Sequence, residues 1–208
     1  MSDFAVPRTT DARNAAGVAR IVRARRGPTL AWWGMAMFIA SEGMLFGIMT
    51  GSYFYLRFKN VHWPPTGIPE PKLAVPLILL GVLLTTSIPM QLAALAARAG
   101  RLAAVRAFLL FALIVQAGYF AMQVHDYRDD LHHFGPQSHV YGSIYFLLLG
   151  ADHAHVALGL LLDAWLLAKL VHGLTTYRLN ALSALAFYWH AVNVITLVVT
   201  LTTLSPAL

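Results

Sequence analysis

The stretch His139–His172, HVYGSIYFLLLGADHAHVALGLLLDAWLLAKLVH, sets ionisable side chains into an otherwise apolar run. At about 100° per residue, Tyr141, Tyr145, Asp152, His155, Gly159 and Asp163 fall in one sector, while Leu147, Val156, Leu160 and Leu167 largely face elsewhere. A polar stripe on a greasy helix can exchange or share protons, hydrogen-bond a neighbouring helix, or hold a headgroup. It does not face acyl chains, because an intramembrane carboxylate costs about 3 kcal/mol on insertion scales. The plainer alternative is that Asp152 and Asp163 lie near the two water interfaces and only hydrogen-bond a neighbouring helix.

A second ionisable group, Glu42, sits mid-way along another apolar run, the deepest such residue in the chain, and needs a partner or a proton. Beside it Gly43, Gly47 and Gly51 repeat every four residues and build a smooth ridge. Such a ridge lets a helix of this chain or of a partner subunit approach closely. Glu42 projects about 100° from the ridge, toward the face of Met35, Phe38, Phe46 and Met49.

The elements that position these groups follow from composition. Of 208 residues, 58% are hydrophobic and 12% charged, and the mean hydropathy is +0.63. That is more apolar surface than one soluble core requires, and the runs are long and continuous instead of alternating, so the expected fold is an all-α integral membrane bundle. Five transmembrane helices are expected at about 29–57, 73–97, 103–126, 139–171 and 181–204, forming a 29–208 membrane domain after a polar 1–28 arm without an apolar h-region. With no cysteine, disulfides, thiolate metal sites and a cysteine nucleophile are excluded.

The net charge of +6 is explained by topology and not by nucleic acid. Arg8, Arg13, Arg20, Arg23, Arg25, Arg26, Arg98, Arg101, Arg106, Lys169 and Arg178 fall on one side, against Arg57, Lys59, Lys72 and Arg128 on the other. Eleven against four puts the N-terminus in the cytoplasm and the C-terminus outside.

Pro64, Pro65, Pro69 and Pro71 make an extended loop after the first helix, with Trp63 expected at the interface. Pro89 is expected to kink the second helix, with Thr85, Thr86 and Ser87 nearby to satisfy freed carbonyls. Gln116, Tyr119 and Gln123 share a face of the third. The segment HDYRDDLHHFGPQSH reads as a solvated outer loop, since its His and Asp spacing matches no motif of fixed ligand geometry. The last helix carries Tyr188-Trp189-His190, with Asn193 on the face of His190.

Taken together and in order, several stretches resemble subunit III of the haem-copper cytochrome c oxidases. Ser41-Glu42 with Met44 and Phe46 resembles the family's Ser-Glu helix, and Trp63-Pro64-Pro65-Thr66-Gly67-Ile68 its WPPxGI loop. Gln116-Ala117 and Tyr119 are similar to QAxEY, without the Glu and with the Tyr one position early. Tyr141-Gly142-Ser143 with Phe146 resembles YGSxFF. Gly150, His155, Val156 and Gly159 match the GFHGLHVxxG helix, where Asp152 stands at the first His. Tyr188-Trp189-His190-Ala191-Val192-Asn193 resembles YWHFVD, with Asn193 for Asp.

The resemblance covers residues 30–204 and implies the shorter, five-helix form. It implies a non-catalytic accessory subunit of the bacterial inner membrane that packs on oxidase subunit I beside subunit II. Haem and copper would reside in those partners and none in this chain, which would hold phospholipid in a helix cleft and support proton uptake and turnover lifetime. Glu42, His155, His190, Asp152 and Asn193 are the candidate lipid and proton-network residues, and Gly43, Gly47 and Gly51 the packing ridge; no catalytic or metal-ligating residue is expected. A subunit-III-like partner of a nitric oxide reductase is the near alternative. A haem b cytochrome using His155 and His190 would need two opposed imidazoles, and a transporter relaying protons through Glu42, Asp152 and Asp163 would be expected to show an internal repeat, which the chain lacks.

Overall fold

A computed structural model describes residues 29–173 and 175–207; the arm expected at 1–28 lies outside the described residues. Among the described residues all regular structure is helical: α1 (Leu30–Lys59), α2 (Ala74–Thr85), α3 (Ser87–Arg98), α4 (Leu102–His133), α5 (Val140–Leu170) and α6 (Thr176–Leu204), then a 3-10 turn at Ser205–Ala207. α2 and α3 form one span, Ala74–Arg98, so five segments are long and apolar enough to cross a membrane.

Local chemistry sets the helix ends. Thr29 caps α1 by accepting the Trp32 N–H at 3.3 Å, and Thr175 caps α6 by accepting the Arg178 N–H at 3.3 Å. α3 ends in a Schellman turn. Gly100 adopts φ +71°, its N–H donates to the Ala97 carbonyl at 3.0 Å, and the Arg101 N–H donates to Ala96 at 2.9 Å. The Arg106 guanidinium donates to the Leu170 carbonyl at 2.6 Å, closing the C-terminus of α5. Pro89 leaves the carbonyl one turn back without a donor, and the second span breaks at Thr86, whose N–H donates to Leu83 at 3.0 Å. The Thr86 hydroxyl donates to the same carbonyl at 2.6 Å.

Two boundaries differ from expectation. The third span continues past Asp126 to His133, so most of the anticipated outer loop is helix. Polar composition reported solvation and not conformation: the Tyr145 hydroxyl donates to Asp130 at 2.6 Å, and Phe134 packs on Tyr141, Tyr145 and Phe146, holding these extra turns against α5. The last span begins at Thr176 and not at residue 181, because the Thr175 cap lies upstream of the turn-like Asn180. Trp63, in the loop after α1, packs edge-on against Tyr53 and Tyr141, at 5.4 and 5.1 Å between centroids.

α6 is the hub, packing on α1, α2, α3 and α5, while α5 also meets α1 and α4. In its most apolar window 61% of the last span is buried within the bundle, against 11% for α1. Since lipid tails are as apolar as Leu, this burial stabilises through close packing and internal hydrogen bonds more than through water exclusion. One core joins Leu83, Met90, Leu109, Val156, Leu166 and Trp189; the other joins Phe46, Tyr53, Tyr141, Leu148 and Val199. Arg57 donates to the Ser205 hydroxyl at 2.6 Å, so the C-terminal ends of α1 and α6 lie together, as an odd number of spans requires.

Candidate functional site

Glu42 projects from the exposed helix α1 onto α5, where its Oε2 lies 2.9 Å from His155 Nε2. The two side chains are 18% and 14% exposed. The other ring nitrogen, Nδ1, faces the Ala151 carbonyl at 2.7 Å, and a carbonyl only accepts, so Nδ1 carries a hydrogen. The Glu42–His155 contact therefore holds one shared proton, as imidazolium with carboxylate or as neutral imidazole with carboxylic acid. Phe46 closes on the His155 ring edge-on at 5.2 Å, and the Tyr188 hydroxyl donates to the His155 backbone carbonyl at 2.8 Å. Groups on α1 and α5 thus hold the imidazole, and α6 holds its backbone.

The rest of the α5 stripe is turned inward. Asp152 is 2% exposed and accepts from the Thr196 hydroxyl at 2.7 Å. His153, two residues before His155, faces the opposite way, toward Phe120 and Tyr127 of α4. This is the divergence that i, i+2 spacing imposes on a helix.

His190 and Asn193 form a separate group with the break in the second span. Asn193 Nδ2 donates to the Ser87 hydroxyl oxygen at 2.7 Å. His190 Nδ1 lies 3.2 Å from the same oxygen, and its Nε2 lies 3.5 Å from Gln91 Oε1. The Gln91 oxygen only accepts, so Nε2 carries the hydrogen of that contact, while the Ser87 hydroxyl accepts from Asn193 and meets Nδ1. The structure therefore joins Glu42 to His155 and His190 to Asn193, and it does not place the two pairs in contact. The nitrogens of His155 and His190 face protein partners, and no group of three or more His, Asp or Glu is placed to hold a metal among the described residues.

The family profile for cytochrome c oxidase subunit III matches residues 25–204, which takes in every group just described. The chain belongs to the cytochrome c oxidase subunit III family. It is similar to a probable cytochrome c oxidase subunit 3 of Nocardia farcinica, 28% identical over 186 residues, covering 86% of this chain and 89% of that one. It is also similar to cytochrome c oxidase subunit 3 of Bacillus subtilis, 25% identical over 171 residues and covering 80% of each chain. Similarity to the Mus musculus subunit is 29% over 170 residues, which is 78% of this chain and 64% of the mouse protein. Membership in the subunit III family implies a complex with other oxidase subunits.

One polar cluster was only partly visible in the sequence. Asp163 is fully buried, and its Oδ2 accepts from Trp189 Nε1 at 2.7 Å. With its amide nitrogen turned to the carboxylate, the orientation that satisfies both groups, Gln116 donates to the same oxygen at 2.9 Å and to the Ala112 carbonyl at 3.2 Å. Gly159 makes room for this: a β-carbon there would lie 2.6 Å from the Trp189 ring. Sequence reasoning found Asp163 and Gln116 on separate polar faces but not Trp189, an indole whose partner lies on another helix. Thr196 was also missed. Its signal is the run Thr196, Thr200, Thr203, a hydroxyl stripe at helical spacing.

Among the described residues, nothing packs on the Gly43–Gly47–Gly51 ridge. All three residues are exposed, and a β-carbon at any of them would have no neighbour within 4 Å.

Proposed function

We propose that this chain is the non-catalytic subunit III of a bacterial respiratory haem-copper oxidase, packed on catalytic subunit I with subunit II nearby and lying in the cytoplasmic (inner) membrane. Haem and copper belong to those partners. The chain holds phospholipid between helices, and supports proton uptake and sustained turnover during oxygen reduction. The observation that carries this reading is the Glu42–His155 contact at 2.9 Å. It is a proton-sharing pair deep in the membrane, on the least covered helix of the bundle, where a lipid or a partner can reach it.

The residues fit these roles. Arg98, Arg101, Arg106, Lys169 and Arg178 gather at one end of the bundle, as expected for a cytoplasmic face contacting anionic headgroups. The open Gly43–Gly47–Gly51 ridge suits close approach of a partner helix. Asp152 and Asn193 support the network from α5 and α6, and His190 orders the broken second span.

The test is a mild-detergent pull-down of the chain, with visible spectra of the complex and of the isolated subunit. Co-purification with a haem- and copper-containing oxidase and a colourless isolated chain support the reading. A haem spectrum in the isolated chain, or a nitric oxide reductase as the captured partner, overturns it. Within the oxidase, Glu42→Ala is expected to leave haem content intact while weakening subunit retention or shortening turnover lifetime.

A further inference from the structure

At the end of the bundle that carries segment 60–73, a cavity of about 370 Å³ opens between that segment, the start of α2, the last turns of α4, the first half of α5 and the end of α6. It is separate from the Glu42–His155 contact. Its lining is acidic in a basic chain: it includes Glu70, Asp126, Asp129 and Asp130, with Lys72 the one Lys or Arg. Pro76, Met122, Leu149 and Leu204 supply apolar wall, and Tyr127, Phe134, Tyr141 and Tyr145 supply aromatic wall.

Acceptors dominate this lining, because four of its side chains are carboxylates and several of its donors are engaged by the protein itself. The Tyr145 hydroxyl donates to Asp130 Oδ2 at 2.6 Å, and Gln123 Nε2 donates to the Tyr119 hydroxyl oxygen. The Thr203 hydroxyl faces the Val199 and Thr200 carbonyls, each at 3.1 Å. His133 Nδ1 faces the Asp129 carbonyl at 2.9 Å, and His153 Nδ1 faces the Leu149 carbonyl. A ring nitrogen that faces a carbonyl carries the hydrogen, so in the neutral ring each Nε2 is an acceptor, and that of His153 is buried with no partner. What faces a ligand is the four carboxylates, the imidazole Nε2 atoms and the Gln123 amide oxygen, against the Lys72 ammonium and the second Gln123 N–H. The hydroxyls of Tyr127, Tyr141 and Thr200 can accept as well as donate.

An acceptor-rich, acidic and aromatic-walled cavity is complementary to a group with several N–H donors, no acceptor and a positive charge. Phosphate and carboxylate fit it badly, because they add acceptors and negative charge. A quaternary ammonium would gain the aromatic faces and the charge but leave the acceptors unmatched. We propose that this cavity binds a primary ammonium group carrying an apolar tail, with the ammonium among Glu70, Asp126, Asp130 and His153 and the tail along Met122, Leu149 and Leu204. The ammonium can come from a soluble amine or from an aminophospholipid headgroup that inserts its ammonium alone and keeps its phosphate outside the carboxylate cluster.

The full chain in a neutral detergent at low salt, titrated calorimetrically with hexylammonium, hexyltrimethylammonium and hexanol, tests this. Hexylammonium is expected to bind at least tenfold tighter than the other two, and Asp126→Asn with Asp130→Asn to lose at least tenfold of that affinity. Asp130 also holds Tyr145, so Glu70→Gln with Asp126→Asn, which leaves that bond in place, is run beside it with a helicity check by circular dichroism. It is expected to lose a comparable factor. Equal binding of the three probes, or undiminished hexylammonium binding in the folded Glu70→Gln/Asp126→Asn chain, overturns the proposal. Native mass spectrometry from nanodiscs of equal phosphatidylethanolamine and phosphatidylcholine separates the sources. Ethanolamine lipid retained by the wild type and lost by the variant assigns the headgroup; hexylammonium binding without such retention assigns a soluble amine.

Discussion

Glu42 and Asp163 are both carboxylates set into apolar helices, and the bundle treats them oppositely. Asp163 is fully buried and held through one oxygen by Trp189 at 2.7 Å and Gln116 at 2.9 Å. Glu42 keeps 18% of its side chain exposed and has one partner, His155, with which it shares a proton. The difference comes from the helices. Asp163 lies on α5 between α4 and the central α6, so its donors come from two packed neighbours; Glu42 lies on α1, which among the described helices meets α5 and α6 alone. A surrounded carboxylate becomes a structural fastener, whereas one on an edge helix stays reachable by protons, lipid or a partner.

That contrast can be broken from the fastener side first. Asp163→Ala would leave the Trp189 and Gln116 N–H groups buried and unpaired, and is expected to destabilise the chain by about 3 kcal/mol, read as a lowered unfolding midpoint in detergent. Gly159→Ala is expected next, at about 2 kcal/mol for the overpacking its β-carbon imposes on the Trp189 ring. The measurement is the same, with a change in Trp fluorescence because the indole must move. Thr196→Val removes one hydrogen bond to Asp152 and is expected to cost about 1 kcal/mol, with the near-ultraviolet circular dichroism unchanged.

At the edge site the expected stability effect is smallest. Glu42→Ala should shift the unfolding midpoint by less than any of these, while the ¹⁵N resonance of His155 Nε2 moves because its proton-sharing partner is gone. A destabilisation matching that of Asp163→Ala would erase the distinction between the two carboxylates. Asn193→Asp sharpens the comparison from a third position. An Asp there can no longer donate to Ser87, so the Ser87 hydroxyl turns toward it and its contact with His190 Nδ1 changes, visible as a changed His190 ring-nitrogen spectrum.

Much of the fold was legible in the chain because a bilayer admits few alternatives: long apolar runs must be helices, and their number follows from their length. The polar α5 stripe, the Glu42 position and the effect of Pro89 were equally readable, each resting on spacing within one helix. The reach of α4 to His133 was not. Nothing local to HDYRDDLHH reports that Asp130 meets Tyr145 or that Phe134 seats among Tyr141, Tyr145 and Phe146. The Gly43–Gly47–Gly51 ridge shows the same limit from the other side, since spacing builds the ridge but cannot say which neighbour it meets, and among the described residues it meets none.

The sequence by itself determined the all-helical membrane class, the five spans, the family and the ionisable residues that the bilayer would make conspicuous. These depend on composition, on period and on motifs within single helices. Only the tertiary structure decided that Glu42 joins His155, that His190 and Asn193 serve the break in the second span, and that Asp163 is fastened by Trp189 and Gln116. Those pairings run between helices, and their partners, 113 residues apart for Glu42 and His155, are chosen by which helix faces come together in the packed bundle.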